Sequence, residues 1–221
     1  MTHRVKRYPS RMGRWEPGAR ERLERAALEL FAERGFAATT VPAIAARAGL
    51  TTRTFFRHFA DKREVLFASE TELPALAERL VADAPAGLGP MAVVAHGLAA
   101  VAAGFDAPDS VAGVEGRREA LRLRRAVVEA DAGLRERELQ KFAALAEAAR
   151  RGFVRRGADA LTAALAAEVA VGAFRVAVTR WLDQEGEHGG EPLAGVVADT
   201  LRALRTVAAD GASPDFAPGA R

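Results

Sequence analysis

Residues 51–63 are rich in side chains that can donate hydrogen bonds to a polyanion. Short hydroxyls, which suit phosphate oxygens or the edges of bases, are carried by Thr51, Thr52 and Thr54. Arg53 lies among them and could pair with guanine through two hydrogen bonds. The basic side chains that follow are Arg57, His58, Lys62 and Arg63. This segment therefore predicts contacts with the bases and phosphates of a nucleic acid.

The charge of the chain is distributed unevenly along its 221 residues, although the formal net charge is only +3. Residues 1–63 carry 14 Lys and Arg against 6 Asp and Glu, a balance of +8. The remaining residues carry 18 and 23, a balance of −5. This asymmetry indicates that only the N-terminal part faces a polyanion. Residues 1–16 lack apolar periodicity, and we expect them to form a flexible basic arm, either gripping phosphates or making no contact.

Three short helices should position the polar segment. The first begins at Pro17, has an apolar face that runs from Leu23 to Phe31, and ends at Gly35. A second helix begins after Thr39 or Thr40, since either can cap it, and ends at Gly49. A third begins at Thr51 or Thr52. The tight turn between the second and third helices is typical of a helix-turn-helix, whose second helix enters the major groove of DNA.

The rest of the chain is also expected to be helical, because Ala, Leu, Glu and Arg dominate it. Asp61 and Glu64 have the spacing of a capping box, so a fourth helix should run from there to Ala82 with a kink near Pro74. A loop is predicted at residues 84–90. Further helices are predicted near 90–105, 109–128, 131–156, 160–185 and 191–209. The predicted fold class is therefore all-α, with about nine helices.

Several classes of protein are disfavoured. The chain has no cysteine, which excludes disulfides and thiolate metal sites, and none of the common nucleophile, phosphate-loop or zinc-protease motifs. We therefore predict no enzyme, no metal and no cofactor. No run of about 18 uncharged apolar residues suggests a membrane span, and no secretory signal is evident, so a cytoplasmic location is expected.

The segment from Thr40 to Lys62, followed by Val65 and Leu66, closely resembles the DNA-binding signature of the TetR family of transcriptional regulators. The preceding segment, 27–36, is similar to the first helix of that family. The resemblance covers about residues 17–77, which it implies are the DNA-binding domain. It implies that residues 78–209 form a domain for dimerisation and ligand binding. Residues 210–221, which include the segment Gly-Ala-Ser-Pro, are expected to be a disordered tail.

This resemblance implies a role for each matching residue. Thr40 would cap its helix and reach a phosphate, and residues 51–54 would read bases. Phe56 and His58 would lie along the DNA backbone, and Lys62 would contact a phosphate from the start of the fourth helix. Two positions depart from the family, which commonly has glycine in place of Arg53 and tyrosine in place of Phe56. Whether Arg53 reads a base or a phosphate stays open, and Phe56 lacks the hydroxyl of a tyrosine.

The C-terminal helices offer weaker signals. The helix near 160–185 is apolar on more than one face, so with the helix near 191–209 it could form a four-helix dimer seam or an ordinary core. Residues that could line an effector cavity, or equally serve the surface or core, are His96, Phe105, Arg118, Arg122, Phe142 and Arg175. A basic cluster comprises Arg117, Arg118, Arg122, Arg124 and Arg125. It could be a solvated face, or could favour an anionic or acyl-carrying effector if it opens on the cavity.

Together these features predict a sequence-specific DNA-binding regulator. We expect a homodimer that represses from a palindromic operator and is released by a small molecule whose identity the sequence does not disclose. The alternative is a helical ligand- or protein-binding module whose N-terminal part does not contact DNA.

Overall fold

The computed structural model of the chain describes residues 18–67, 72–107, 113–184 and 190–210. Within these ranges it consists of ten α-helices without a β-strand, so the predicted all-α class is confirmed. The helices are α1 (Ala19–Ala38), α2 (Val41–Arg47), α3 (Thr52–His58), α4 (Glu64–Phe67), α5 (Leu73–Ala82), α6 (Pro90–Asp106), α7 (Gly113–Ala130), α8 (Ala132–Arg155), α9 (Ala160–Asp183) and α10 (Leu193–Asp210). The predicted basic arm, 1–16, and most of the predicted tail lie outside the described residues.

The chain divides into two compact units, one up to Leu66 and one from Phe67 onward. The domain bounds 17–77 and 78–209 stay a prediction. In the N-terminal unit, α2 and α3 are only seven residues each, too short to be stable alone, so they depend on packing with α1. The side chains at the centre of this packing are Leu23, Leu30, Phe31, Ile44 and Phe55, all fully or almost fully buried.

The predicted fourth helix is two helices in the structure. Asp61 caps α4 as expected, because its Oδ1 accepts hydrogen bonds from the backbone N–H of Arg63 at 2.7 Å and of Glu64 at 3.0 Å. Glu72, however, lies in a turn, and Pro74 falls in the first turn of α5 rather than at a kink. Proline has no N–H to give to a preceding turn but fits the start of a helix. The continuous helix to Ala82 was therefore wrong, which accounts for ten helices instead of nine.

The C-terminal unit is built around α9, which packs against α6, α8 and α10. Its core includes Val93, Phe153, Trp181 and Leu193. Helix α5 comes very close to α8 at Gly152, where a Cβ atom would lie 2.8 Å from the Glu78 carbonyl oxygen. Among the described helices, α9 alone is long and apolar enough to cross a membrane; a buried core helix passes the same test.

The structure buries some of the apolar residues expected at a dimer seam and leaves others exposed. On α10, Val196, Val197 and Leu201 are buried in the core of their own unit, as are Trp181 and Leu182 on α9. Exposed apolar side chains instead lie along α9 with the spacing of one helix face, at Leu161, Leu165 and Val176. Much of the apolar face of α10 is thus covered within its own unit, whereas these α9 side chains are not.

Candidate nucleic-acid interface

Helices α2 and α3 are joined by a short turn, and a threonine caps each of them. Thr40 Oγ1 accepts a hydrogen bond from the Ala43 backbone N–H at 3.4 Å, and Thr51 Oγ1 accepts one from the Thr54 N–H at 3.2 Å. Thr40 rather than Thr39 therefore caps α2, and Thr51 rather than Thr52 caps α3. Between the helices, Gly49 has a φ of 67°, which a side chain would disfavour. The helix-turn-helix geometry predicted from the sequence is present.

Thr39 has a different role from Thr40. Its side chain is buried, and Oγ1 lies 3.1 Å from the Leu30 carbonyl oxygen and 2.9 Å from that of Gly35. Gly35 itself has non-helical torsion angles and interrupts α1 at the residue where the helix was predicted to end. Thr39 can therefore donate its single hydroxyl proton to either of these carbonyl oxygens at the break. From the sequence, Thr39 was predicted only as a possible cap of the second helix.

Helices α1 and α2 are also joined by an ion pair. Arg47 donates two parallel hydrogen bonds to the Glu33 carboxylate, at 2.9 and 2.8 Å, and a third to Glu29 at 3.2 Å. The hydrogen bond from Arg47 lowers the pKa of Glu33 below its ordinary value, and the two carboxylates raise the pKa of Arg47. A bidentate pair restricts geometry more than a single contact does, so it helps to orient α2 on α1.

Helix α3 has one inward and one outward face. Phe55 is fully buried and anchors the helix, and Phe59 follows it into the core. The outward face, defined by the spacing i, i+1, i+4 and i+5, consists of Thr52, Arg53, Phe56 and Arg57. All four are exposed, and Phe56 is 59% exposed despite being a large apolar residue. This face is available to a partner along its whole length.

The other predicted contact residues are placed differently. His58 is exposed but lies beyond this face, on another side of the helix. The hydroxyls of Thr51 and Thr54 lie 3.0 Å apart, so both take part in capping α3. Thr40 is exposed at the start of α2. Contact of any of these residues with DNA stays a prediction.

Lys62 makes internal contacts that the sequence did not predict. Its Nζ donates to the carbonyl oxygens of Phe36 at 2.8 Å, Thr39 at 3.0 Å and Ala37 at 3.3 Å, and lies 4.3 Å from the centre of the Phe36 ring. These carbonyls end α1, where a helix has unpaired acceptors and partial negative charge. An ammonium group has three donors, and all three are used here. No local pattern signals this role, because Lys62 and Phe36 are far apart in the sequence.

The six candidate effector residues fall into three places. Phe105, Arg118 and Arg122 meet near the C-terminal end of α9, where Phe105 packs edge-on to Trp181 with ring centres 6.4 Å apart. Arg175 and Phe142 form a separate pair, with the guanidinium 4.7 Å from the ring centre. His96 is exposed on α6. The structure thus groups three of the six.

The basic cluster on α7 is not a solvated face, because each of its arginines has an internal partner. Arg117 donates to carbonyl oxygens at the end of α6, and Arg118 and Arg122 donate to those at the end of α9. Arg124 pairs with Glu138 and Arg125 with Asp183. Cations are favourable at helix C-termini, so this cluster fastens α7 to its neighbours. The sequence shows the cluster of arginines but does not show which groups they contact.

A three-helix unit whose α2 and α3 form this turn, with a polar exposed face on α3, is a helix-turn-helix DNA-binding unit. Residues 24–69 match the family model described as bacterial regulatory proteins, tetR family. The regulator TcmR of Streptomyces glaucescens is 41% identical over 85 residues. That match covers 37% of this chain and 36% of TcmR.

Solved structures extend the likeness in fold beyond this segment. A complex of SmeT with triclosan is similar over 84% of this chain and 91% of its own, with a TM-score of 0.54 and 23% identity. FadR of Bacillus subtilis in complex with stearoyl-CoA is similar over 83% and 96%, with a TM-score of 0.54 and 18% identity. Residues 24–69 are therefore similar to the tetR family of bacterial regulatory proteins, and the solved structures show a similar fold over most of the chain. The matched model describes regulatory proteins, which agrees with the prediction of a regulator and not an enzyme.

Proposed function

We propose that this protein is a cytoplasmic transcriptional repressor that binds a palindromic operator as a homodimer and is released by a small molecule. The observation that carries the proposal is the outward face of α3, where four exposed side chains combine hydroxyl, cationic and apolar groups. Such a face suits base edges and thymine methyl groups in the major groove. Arg53, near the start of α3, is the side chain we expect to read a base.

Dimerisation would follow from the exposed stripe on α9. Leu161, Leu165 and Val176 project from one side of the helix, and the exposed Gly172 between them would allow a second helix to come close. A surface of this kind is stabilised when a second copy covers it. Two N-terminal units would then bind half-sites about 34–36 Å apart, or a multiple of this. Repression would be steric, through occupation of a promoter.

Release by a ligand requires a difference in its affinity for two conformers. A coupling of about 1–3 kcal/mol changes DNA affinity about 5–150-fold, which is enough for a switch. SmeT with triclosan and FadR with stearoyl-CoA show that proteins of similar fold hold small molecules. By analogy, the C-terminal unit would hold the effector of this protein.

Selection from a pool of random duplexes tests the proposal. We expect an enriched consensus with dyad symmetry, and a footprint of that consensus in the promoter region beside the gene. The matched control is the double variant Thr52→Ala, Arg53→Ala, which should lose the enrichment while retaining the helical circular dichroism of the wild type. A helical module that binds ligand or protein would enrich no sequence, and that result would refute the proposal.

A further inference from the structure

Arg118 is a buried arginine in the C-terminal unit. It is only 2% exposed. Its Nη2 donates to the carbonyl oxygens of Trp181 and Gln184 and to the side-chain oxygen of Gln184, and its guanidinium lies 5.0 Å from the centre of the Trp181 ring. All these acceptors are uncharged.

The other members of the α7 cluster differ from Arg118 in exposure or in charge compensation. Arg122, one turn away, lies 3.7 Å from Glu115 and 3.6 Å from Glu119, while Arg124 and Arg125 have carboxylates at 2.9 and 2.6 Å. Arg117 also donates to carbonyls but is half-exposed. Among the described residues, Arg118 is therefore the buried arginine of the cluster without a carboxylate within 4 Å.

Within the part of the chain that the structure describes, the charge of Arg118 is only partly compensated. The C-terminal end of α9 supplies about half a negative charge, and a buried cation without a counter-ion is costly. Burial and the positive charge of Arg122 both lower the pKa of Arg118, whereas the negative charge of Glu115 raises it. Its Nε is also buried without a hydrogen-bond partner among the described residues. An unpaired donor next to an uncompensated charge is favourable for an anion.

The surroundings of this group are aromatic. Phe105 on α6 packs against Trp181 and also against Phe174, with ring centres 6.3 Å apart for the second pair. Both phenylalanines are only partly buried against the core. A ligand that satisfied Arg118 would therefore meet apolar rings with the rest of its surface.

We propose that Arg118 is the anion-binding group of an effector site formed by α6, α7 and α9, and that the ligand is a carboxylate with an apolar body. One carboxylate oxygen accepts the Nε–H of Arg118, and the apolar body packs against Phe105 and Phe174. This inference rests on the proposed function, in which the C-terminal unit holds the effector. It selects Arg118 from the cluster because its charge is buried and has no carboxylate within 4 Å among the residues described.

Titration calorimetry with paired probes tests the site. Decanoate and 2-naphthoate are each compared with the neutral alcohol of the same skeleton, 1-decanol and 2-naphthalenemethanol. We expect at least one acid to bind the full-length wild type about tenfold or more tightly than its alcohol. Equal binding of acid and alcohol, or no binding of either acid at about 1 mM, overturns the proposal.

The variant Arg118→Lys keeps the charge but lacks the Nε donor, and Arg117→Lys is its matched control on the same helix. We expect the first to bind the acid about ten- to a hundredfold more weakly and the second to bind it as the wild type does. Equal affinities of the two variants overturn the proposal. If Arg118→Lys does not fold, the arginine Nε–H resonances of the wild type decide. One of them should shift on addition of decanoate and none on addition of 1-decanol; unchanged resonances overturn the proposal.

The DNA selection is done without ligand, so it separates this inference from the proposed function. An enriched consensus together with failed ligand binding would remove only the Arg118 site. A failed selection would remove the repressor, whatever the calorimetry showed.

Discussion

Lys62 Nζ lies 2.8 Å from the carbonyl oxygen of Phe36 and 4.3 Å from the centre of the Phe36 ring. One ammonium group thus closes the end of α1 and covers the aromatic side chain next to it. This relationship ties the turn before α4 to the end of α1, and it gives Lys62 a structural role that competes with the phosphate contact predicted from the sequence.

The variant Lys62→Met keeps the aliphatic stem and removes the three donors. We expect a loss of about 1 kcal/mol in the free energy of unfolding, because carbonyls at the end of α1 lose a charged partner that is itself half-exposed. Chemical denaturation measures this loss, with the exposed neighbour Arg63→Met as the control. The salt dependence of DNA affinity should stay the same. A slope lowered by about one unit would instead assign Lys62 to a phosphate.

Replacement of Arg53 by alanine tests the outward face of α3. We expect DNA affinity to fall by about 1–3 kcal/mol and the preference at one base pair to relax, because Arg53 is exposed where base edges would lie. Competition binding with single-base variants of the operator measures both effects. Arg205→Ala, an exposed arginine on α10, serves as the control. An equal loss on every sequence would mean that Arg53 contacts a phosphate.

The Glu33–Arg47 pair should make stability depend on pH. Since the folded-state pKa of Glu33 lies below its ordinary value of 4.5, the pair stabilises the protein above about pH 4.5. This stabilisation is lost as the pH falls through the lowered pKa. Melting curves of the wild type and Glu33→Gln should therefore differ at pH 7 and converge in acid. Glu24→Gln, which removes the Arg20 pair within α1, is the control. A difference that persists unchanged at pH 3 would contradict this origin.

Gly152 should be intolerant of a side chain. In Gly152→Ala the new Cβ would lie 2.8 Å from the Glu78 carbonyl oxygen and 2.8 Å from Val81 Cβ, so α5 must move away from α8. We expect a loss of about 1–3 kcal/mol in the free energy of unfolding. Gly104→Ala, also within a helix but with open space around its Cβ position, should be neutral or gain up to about 1 kcal/mol. Equal effects of the two substitutions would exclude a close α5–α8 contact at Gly152.

The α9 stripe should control assembly. We expect Leu165→Glu to shift the sedimentation of the protein from dimer to monomer, because a carboxylate would be buried at the seam. Leu139→Glu on α8 is closely matched, since Leu139 is 58% exposed and Leu165 is 59% exposed. It should leave the dimer intact. If Leu165→Glu remains a dimer, the seam lies elsewhere.

Much of the helical architecture could be predicted from local signals. The Asp61 and Thr51 caps, Gly49 in the turn and the apolar spacing around Phe55 all act within one or two turns of a helix, so they can be read along the chain. The break at Glu72 was missed because Pro74 was interpreted as a kink within a helix. Both interpretations are compatible with the proline, and only its neighbours in space distinguish them.

The roles of the charged side chains were harder to predict. The α7 arginines were interpreted as a solvated face or as a lining of the effector cavity, and Lys62 as a phosphate contact. Their carbonyl partners are 10 to 66 residues away along the chain, as for Arg117 with Ala107 and Arg118 with Gln184. A guanidinium or ammonium group suits phosphate, carboxylate and carbonyl oxygen alike. Residue type therefore leaves the partner undecided.

The amino-acid order by itself determined the helical class, the helix-turn-helix and the resemblance of the N-terminal segment to the TetR family, because each depends on residues close together in the chain. Tertiary structure alone decided which cations remain available to a partner. It assigns Lys62 to the end of α1, fastens α7 to the ends of α6 and α9, and leaves Arg118 buried with no carboxylate within 4 Å among the described residues. The physical reason is that hydrogen bonding and charge compensation depend on distances in space, which folding sets between residues far apart in the chain.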